Sequence, residues 1–377
     1  MTDLPAVFAE LHDLQPRATE LLSSAVVGGR VSHAYLFLGT PGALITETAH
    51  AFSAALMCED GGCGACEACR RVERGSHPDV TELVPEGARA YLVEQIREVV
   101  TAAQYAPTMG RRRIFIFNRA DLMNQASANA FLKTLEEPEA GVVFILIAPN
   151  ETAVLPTILS RCQVVRFRTI PAAEGRGLVA RRTGVDPERA AFALAACEGS
   201  VTDAVAFAAL PASWQLREQV FACLADLHRT DAWGAISAGR GFAANWMAPV
   251  EALKAAQEDA KVRESEFLDK QAQKAADAKN KRALTAATSR AFGRITALVR
   301  SWLADVLAVQ EGMPERVVNT DAMPGIMRAA AGIRDGGIRA AVEATQRAER
   351  NIAYNVGAQN AIDALVLDVR RALYGSA

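Results

Sequence analysis

The sequence predicts an α/β domain built on a parallel five-stranded sheet, followed by two all-helical domains, and three observations carry that prediction. Apolar runs rich in β-branched and aromatic residues stand at Tyr35 to Leu38, Ile114 to Phe117, Val142 to Ala148 and Val164 to Phe167, with little of the polar alternation of a half-exposed strand. Between them lie stretches with apolar residues at helical spacing, as strands joined by crossover helices require. From Pro171 onward the pattern is alanine-rich and helical.

A chain of 377 residues that is half apolar is long enough for two or three domains with real cores. Its net charge of −2 leaves no global footprint for nucleic acid, so any such contact would be local. The start, MTDLPAVFAELHDL, lacks a basic stretch followed by an apolar core, and no apolar run approaches the roughly 20 residues that span a bilayer. A cytoplasmic protein without membrane contact is expected.

Phe8 to Val27 carries apolar residues at helical spacing, with Pro16 opening a second helix and Gly28-Gly29 ending it. Tyr35 to Leu38 is the first strand. It runs into Gly39-Thr40-Pro41-Gly42-Ala43-Leu44-Ile45-Thr46 and then a further helix, the context of a phosphate-binding loop. The pattern G-x-x-x-x-G-K-[ST] needs its second glycine for close backbone approach and its lysine for charge. Gly39 and Thr46 fit, but Leu44 stands at the second glycine and Ile45 at the lysine, so triphosphate binding loses its principal electrostatic contribution.

Seven cysteines are present, four of them within Cys58, Cys63, Cys66 and Cys69. Two pairs at C-x2-C spacing suit a closed tetrahedral zinc site with no open position for catalysis, and Gly61, Gly62 and Gly64 would let the backbone wrap the ion. Arg70, Arg71 and Arg74 would follow on the surface. Asp79 to Pro85 alternates as a second strand should, and His77 reads equally as a local hydrogen-bonding residue or a ligand.

Val93 to Ala103 is an amphipathic helix, and Arg111-Arg112-Arg113 leads into the buried strand Ile114 to Phe117. Asn118 and Arg119 follow, where nucleotide-hydrolysing proteins carry an acidic pair for Mg²⁺ and water. Asn124 to Leu135 is a helix ending in Glu136-Glu137-Pro138. Leu155-Pro156-Thr157-Ile158-Leu159-Ser160-Arg161-Cys162 then lies between the last two strands as a loop or short helix. Arg161, flanked by small residues, can project from the sheet edge and bind phosphate through two parallel hydrogen bonds, and reads equally as an arginine that tethers the loop to a backbone carbonyl.

These residues together resemble the AAA+ clamp-loader family of the bacterial DNA polymerase III holoenzyme. The resemblance rests on Ser32 to Phe37, the four-cysteine insert, His77-Pro78-Asp79, Ala126 to Pro138, Pro156-Thr157-Ile158 and Ser160-Arg161-Cys162-Gln163. It is dense over residues 1 to about 168 and thinner beyond, at Gly199 to Ala204 and Asn351 to Leu367. What it implies is a heteropentamer with tau/gamma ATPase subunits and a delta subunit, which opens a sliding clamp and places it on primed DNA in the nucleoid-associated replisome.

In that family the arginine of Ser-Arg-Cys reaches the γ-phosphate held by a neighbouring subunit, and Arg161 matches it, with Ser160 and Cys162 beside it. Leu44-Ile45, Asn118-Arg119 and Thr202, where ATPase members have a lid arginine, depart from the hydrolysing pattern. The departures favour the delta-prime branch, with zinc as a structural cofactor. They imply no productive ATP binding and no activity of the chain's own, only a contribution in trans to the holoenzyme's ATPase.

The resemblance also implies an AAA+ αβα domain over 1–170, a small helical lid over 171–225 and a helical collar over 226–377. Ala252 to Leu284 is polar, with Asp259/Arg263, Glu266/Lys270 and Asp277/Lys281 at i,i+4 spacing, and reads as a solvated helix or helical hairpin. Met313 to Gly325 reads as a loop broken by Pro314, Pro324 and Gly325. Val342 to Leu373 has helical spacing interrupted by Asn355 and Asn360. Two other readings compete: a clamp-loader ATPase with an unusual loop, and a zinc module that reads DNA, against which the mixed charge of Glu59, Asp60 and Glu67 speaks.

Overall fold

In the computed structural model the described residues are 4–40, 42–85, 90–264, 270–352 and 357–375. Pro41 of the glycine loop, Glu266 of the charged stretch and Asn355 with Val356 lie outside them. The chain divides into two compact units, residues 1–174 and 175–377.

The first unit opens with α1 (Ala9–Leu14) and α2 (Pro16–Val27), as the spacing and Pro16 require. There follow β1 (Ala34–Leu38), α3 (Ile45–Met57), α4 (Glu67–Glu73), β2 (Val80–Leu83), α5 (Val93–Ala103) and β3 (Arg113–Phe117). Next come α6 (Gln125–Glu136), β4 (Val142–Ala148), α7 (Pro156–Leu159) and β5 (Gln163–Arg166). The five strands form one parallel sheet in the order β2-β3-β4-β1-β5.

Central β1 and β4 are buried at every residue, which is why their sequences are continuous hydrophobic runs. Tyr35 and Phe37 of β1 face Phe52 of α3, the Tyr35 and Phe52 rings meeting edge-on at 4.9 Å. Leu36 and Leu38 turn to the other face and join Ile96 of α5 and Phe131 of α6, with Phe115, Phe117 and Phe144. Each fully buried side chain of this size contributes about 1.5–3 kcal/mol. Two helical layers thus enclose the sheet.

All five strands point the same way, so one edge of the sheet collects their carboxyl ends, and in such folds ligands bind there where the strand order reverses. The loop after β1 sits at that position, between β4 and β5. Arg161 precedes β5 and lies at the opposite, amino edge. Four strand residues separate the two, on the order of 13 Å.

α8 (Ala172–Thr183) carries the chain across the boundary at Glu174. The second unit continues with α9 (Pro187–Ala196), α10 (Val201–Ala209), α11 (Pro211–Asp226), α12 (Ala232–Gly241) and α13 (Ala243–Glu264). It ends with α14 (Lys270–Gln310), α15 (Met323–Gly332), α16 (Gly337–Ile352) and α17 (Ala358–Tyr374). The polar stretch is an α13–α14 hairpin, and Asp277 pairs across it with Lys261 at 3.0 Å.

The reading of Met313 to Gly325 as a loop is corrected here. Pro324 and Gly325 do not break structure: Pro324 occupies the first turn of α15, where its missing N–H costs nothing, and Gly325 is buried in the helix. The spacing over Val342 to Leu373 belongs to two helices, α16 and α17, packed on each other. No single helix among the described residues is long and apolar enough to cross a membrane.

Candidate functional site

In the loop after β1, apolar side chains stand at the places of the second glycine and the lysine of a phosphate-binding loop. Leu44, at the second glycine's place, holds φ +57°, the left-handed conformation a glycine takes freely and an L-residue adopts at a cost of about 1–2 kcal/mol. Its side chain is 1% exposed, and that of Ile45 is 7% exposed, so the residues replacing glycine and lysine fill the loop from within. Gly39 is needed for packing: a Cβ there would stand 2.9 Å from the Phe167 Cβ and 3.0 Å from the Ile45 Cδ1.

Sequence reasoning missed Gln15, a buried amide in the turn between α1 and α2. Its Nε2 donates to the Ala43 carbonyl at 2.9 Å and to the Arg168 carbonyl at 2.7 Å, and its Oε1 accepts the Arg168 N–H at 3.0 Å. The loop is therefore tied to the chain leaving β5. No local signal marks such a residue, because its partners are distant in sequence.

At the end of β3, Asn118 donates through its amide to Glu82 of β2, and His50 of α3 lies 3.0 Å from the same carboxylate. The hydrogen bond from His50 and its electrostatic attraction, with the Asn118 bond, hold Glu82 below the usual carboxylate range against the opposing effect of desolvation. Arg119, at φ +56°, turns back on Asp121 with Nε at 3.0 Å and Nη2 at 2.9 Å. The strand end thus presents an amide and a self-paired arginine. Glu82 is committed to its neighbours.

Arg161 follows the single turn α7, which Pro156 starts. Its Nε donates to Glu136 Oε1 at 2.7 Å, and Nη2 reaches the same oxygen. Nη1 donates to the Thr157 carbonyl at 2.8 Å and to Ser160 Oγ at 3.1 Å. The side chain is one-third exposed. Cys162 beside it is half-buried, and burial pushes its thiol up to about 12, which leaves it inert as a nucleophile.

The four cysteines of the insert converge. Their sulfurs lie within 4.8 Å of one another, with Cys58 to Cys63 at 3.6 Å and Cys58 to Cys66 at 3.7 Å. Four sulfurs placed tetrahedrally about 2.3 Å from a zinc ion stand about 3.8 Å apart, so the donor set fits. Gly61, Gly62 and Gly64 all hold positive φ, +66°, +111° and +75°, and turn the chain around the cluster.

The backbone N–H groups of Cys63, Cys66 and Cys69 point at the sulfurs of Cys58, Cys63 and Cys66 at 3.4–3.5 Å, which favours thiolates. Burial opposes ionisation of Cys58, yet N–H groups of Cys63, Gly62 and Asp60 bring its pKa down to about 7. His77 is a local partner: it is buried, and its Nδ1 accepts the Asp79 N–H at 3.2 Å. Arg113, last of the three arginines, donates to the carbonyls of Ala102 and Tyr105.

Residues 14–171 match the protein family described as DNA polymerase III, delta subunit. The DNA polymerase III subunit delta' of Bacillus subtilis is 34% identical over 164 residues, 43% of this chain and 50% of its own length. The delta' subunit of Pseudomonas aeruginosa is 35% identical over 196 residues, 50% of this chain and 59% of its own. The DNA polymerase III subunit tau of Escherichia coli is 32% identical over 210 residues, 53% of this chain and 32% of its own.

The chain thus spans between a third and three-fifths of the length of these relatives. A gamma subunit-related protein of Thermotoga maritima superposes with a TM-score of 0.43 at 18% identity, over 93% of this chain and 98% of its own. Residues 14–171 are thus similar to the DNA polymerase III delta-subunit family model and to delta' and tau subunits of DNA polymerase III.

Proposed function

We propose that the chain is a non-hydrolysing, delta-prime-like subunit that offers Arg161 to the nucleotide of a neighbouring ATPase subunit. The observation that carries this is the separation of Arg161 from the chain's own loop. The arginine lies at the amino edge of the sheet and the loop at the carboxyl edge. A partner's phosphate is the natural target for a one-third exposed guanidinium so placed. The buried Leu44 and Ile45 and the self-paired Arg119 support the absence of productive ATP binding by this chain.

The further parts of the reading follow from the family. The four cysteines hold a structural zinc that closes the insert and supplies no catalysis. Residues 171–225 serve as a lid and 226–377 as a collar. The partners are tau/gamma and delta subunits in a pentamer, with the sliding clamp and primed DNA reached through the complex.

The test is ATP hydrolysis by the reconstituted loader with clamp and primed DNA, comparing wild type with Arg161→Ala after checking assembly. Fingers of this kind contribute about 10³–10⁵ in rate at the site they complete. A large loss at one site with assembly intact is expected, and unchanged turnover would remove the assignment. Nucleotide titration of the isolated chain separates the ATPase alternative, which requires micromolar binding.

A further inference from the structure

Helix α6 breaks a local rule at its end. It closes on Glu136 with Glu137 as its cap, two carboxylates where the helix dipole disfavours negative charge, and Lys133 is the cation of its last turn. Local rules of this kind are broken most often at functional sites. Arg161 compensates one of them, from 25 residues downstream.

The arrangement uses nearly all of the guanidinium. Nε and Nη2 go to Glu136 Oε1, and Nη1 goes to the Thr157 carbonyl at 2.8 Å and Ser160 Oγ at 3.1 Å. Of the five N–H bonds an arginine carries, one remains for an incoming group. A bidentate phosphate contact needs two in parallel. A carboxylate and a phosphate on the same guanidinium also repel each other. Arg161 as it stands is therefore parked.

Resting on the reading of Arg161 as a finger, we propose that Glu136 is a positioning residue that latches it. Glu136 holds the guanidinium against the end of α6 until a neighbour's phosphate displaces the carboxylate. The Thr157 carbonyl and Ser160 Oγ keep Nη1 and so preserve the aim of the side chain during the exchange. The latch is weak enough to release: Glu136 and Arg161 are 46% and 33% exposed, and exposed pairs of this kind contribute about 0–1 kcal/mol.

A competitor for Arg161 that acts before phosphate arrives weakens ground state and transition state alike, so it alters KM and leaves kcat. The reconstituted loader carrying Glu136→Gln, which keeps shape and removes charge, is compared with wild type for ATP hydrolysis without clamp or DNA. The expected result is a KM for ATP lowered roughly two- to fivefold, the span of a surface ion pair, at unchanged kcat.

The same substitution on an Arg161→Ala background is expected to change nothing. A KM that stays or rises, or a fall in kcat, with Arg161→Ala still damaging, overturns the latch and leaves the finger. An Arg161→Ala loader that hydrolyses normally removes finger and latch together. Assembly and circular dichroism of each variant exclude misfolding as the cause.

Discussion

The carboxylate of Asp79, ahead of β2, accepts the backbone N–H of Gly110, 31 residues later, at 2.8 Å. It also takes the N–H groups of Thr108 at 2.5 Å and Met109 at 2.7 Å, so one fully buried side chain ties down the turn that delivers β3. Burial pushes its pKa up, and the three N–H donors more than reverse this, leaving it below the ordinary value. Asp79→Asn replaces one acceptor by an NH₂ facing donors and is expected to cost about 1–3 kcal/mol in urea unfolding.

The pH dependence follows from the sign of that shift. A depressed carboxylate pKa contributes stability that is fully present above its unfolded value, near 3.9, and is lost as pH falls through the folded one. Wild type should therefore lose stability more steeply than Asp79→Asn as pH falls below about 4, near the unfolded value, and on through the lower folded one. Parallel acid titrations would sink the account.

In the second unit Arg217 of α11 is 3% exposed, donates to Asp321 at 2.7 and 2.8 Å and to Asn319 Oδ1 at 2.7 Å, and lies against the rings of Phe192 and Phe221. Asp321→Ala strands the buried guanidinium and is expected to destabilise by about 2–4 kcal/mol. Arg217→Met, apolar and of similar length, should be milder, because a well-packed hydrophobe replaces the ion without leaving an uncompensated charge. Denaturant midpoints of the two variants decide this, and equal losses would put the energy in packing instead.

Removal of metal should reach beyond the insert. The Val7 N–H donates to the Gly62 carbonyl at 3.2 Å, and Gly62 lies against Val7, Pro5 and Ala55 of α3. Chelation, or Cys63→Ser with Cys66→Ser, is expected to speed amide exchange at residues 6–8 and along α4. A fall in Tm of at least the roughly 2–4 °C that 1 kcal/mol represents in a domain of this size should accompany it. Wild-type protein free of zinc by elemental analysis would defeat the assignment.

The sheet was legible because central parallel strands are buried on both faces and must be apolar throughout, as Val142–Ala148 is. Val93–Ala103 was legible to the residue because one face of that helix is polar. What escaped was set at long range. Gln15, Asp79 and Glu136 carry ordinary polar side chains whose partners lie 25 to 153 residues away. Pro324 was misread because a proline that opens a helix and one that ends it look alike until the following turn is known.

Leu44 offers a contest between two opposed energies. Leu44→Gly would relieve left-handed strain of about 1–2 kcal/mol at φ +57°. It would also delete a side chain that is 1% exposed, and losing a buried leucine costs about 2–5 kcal/mol. The second effect is larger, so a net loss of about 1–3 kcal/mol is expected in urea unfolding. At this position the side chain's core packing outweighs the cost of the left-handed backbone it must adopt.

Adding Ile45→Lys places an ammonium at a position that is 7% exposed and should lower stability further. The double variant restores the loop pattern, but Asn118 and Arg119 still stand where the metal and water would be handled. It is expected to show no ATP hydrolysis even if it gains weak nucleotide affinity. Turnover by that variant alone would show that the strand end had kept a catalytic capacity its hydrogen bonds deny.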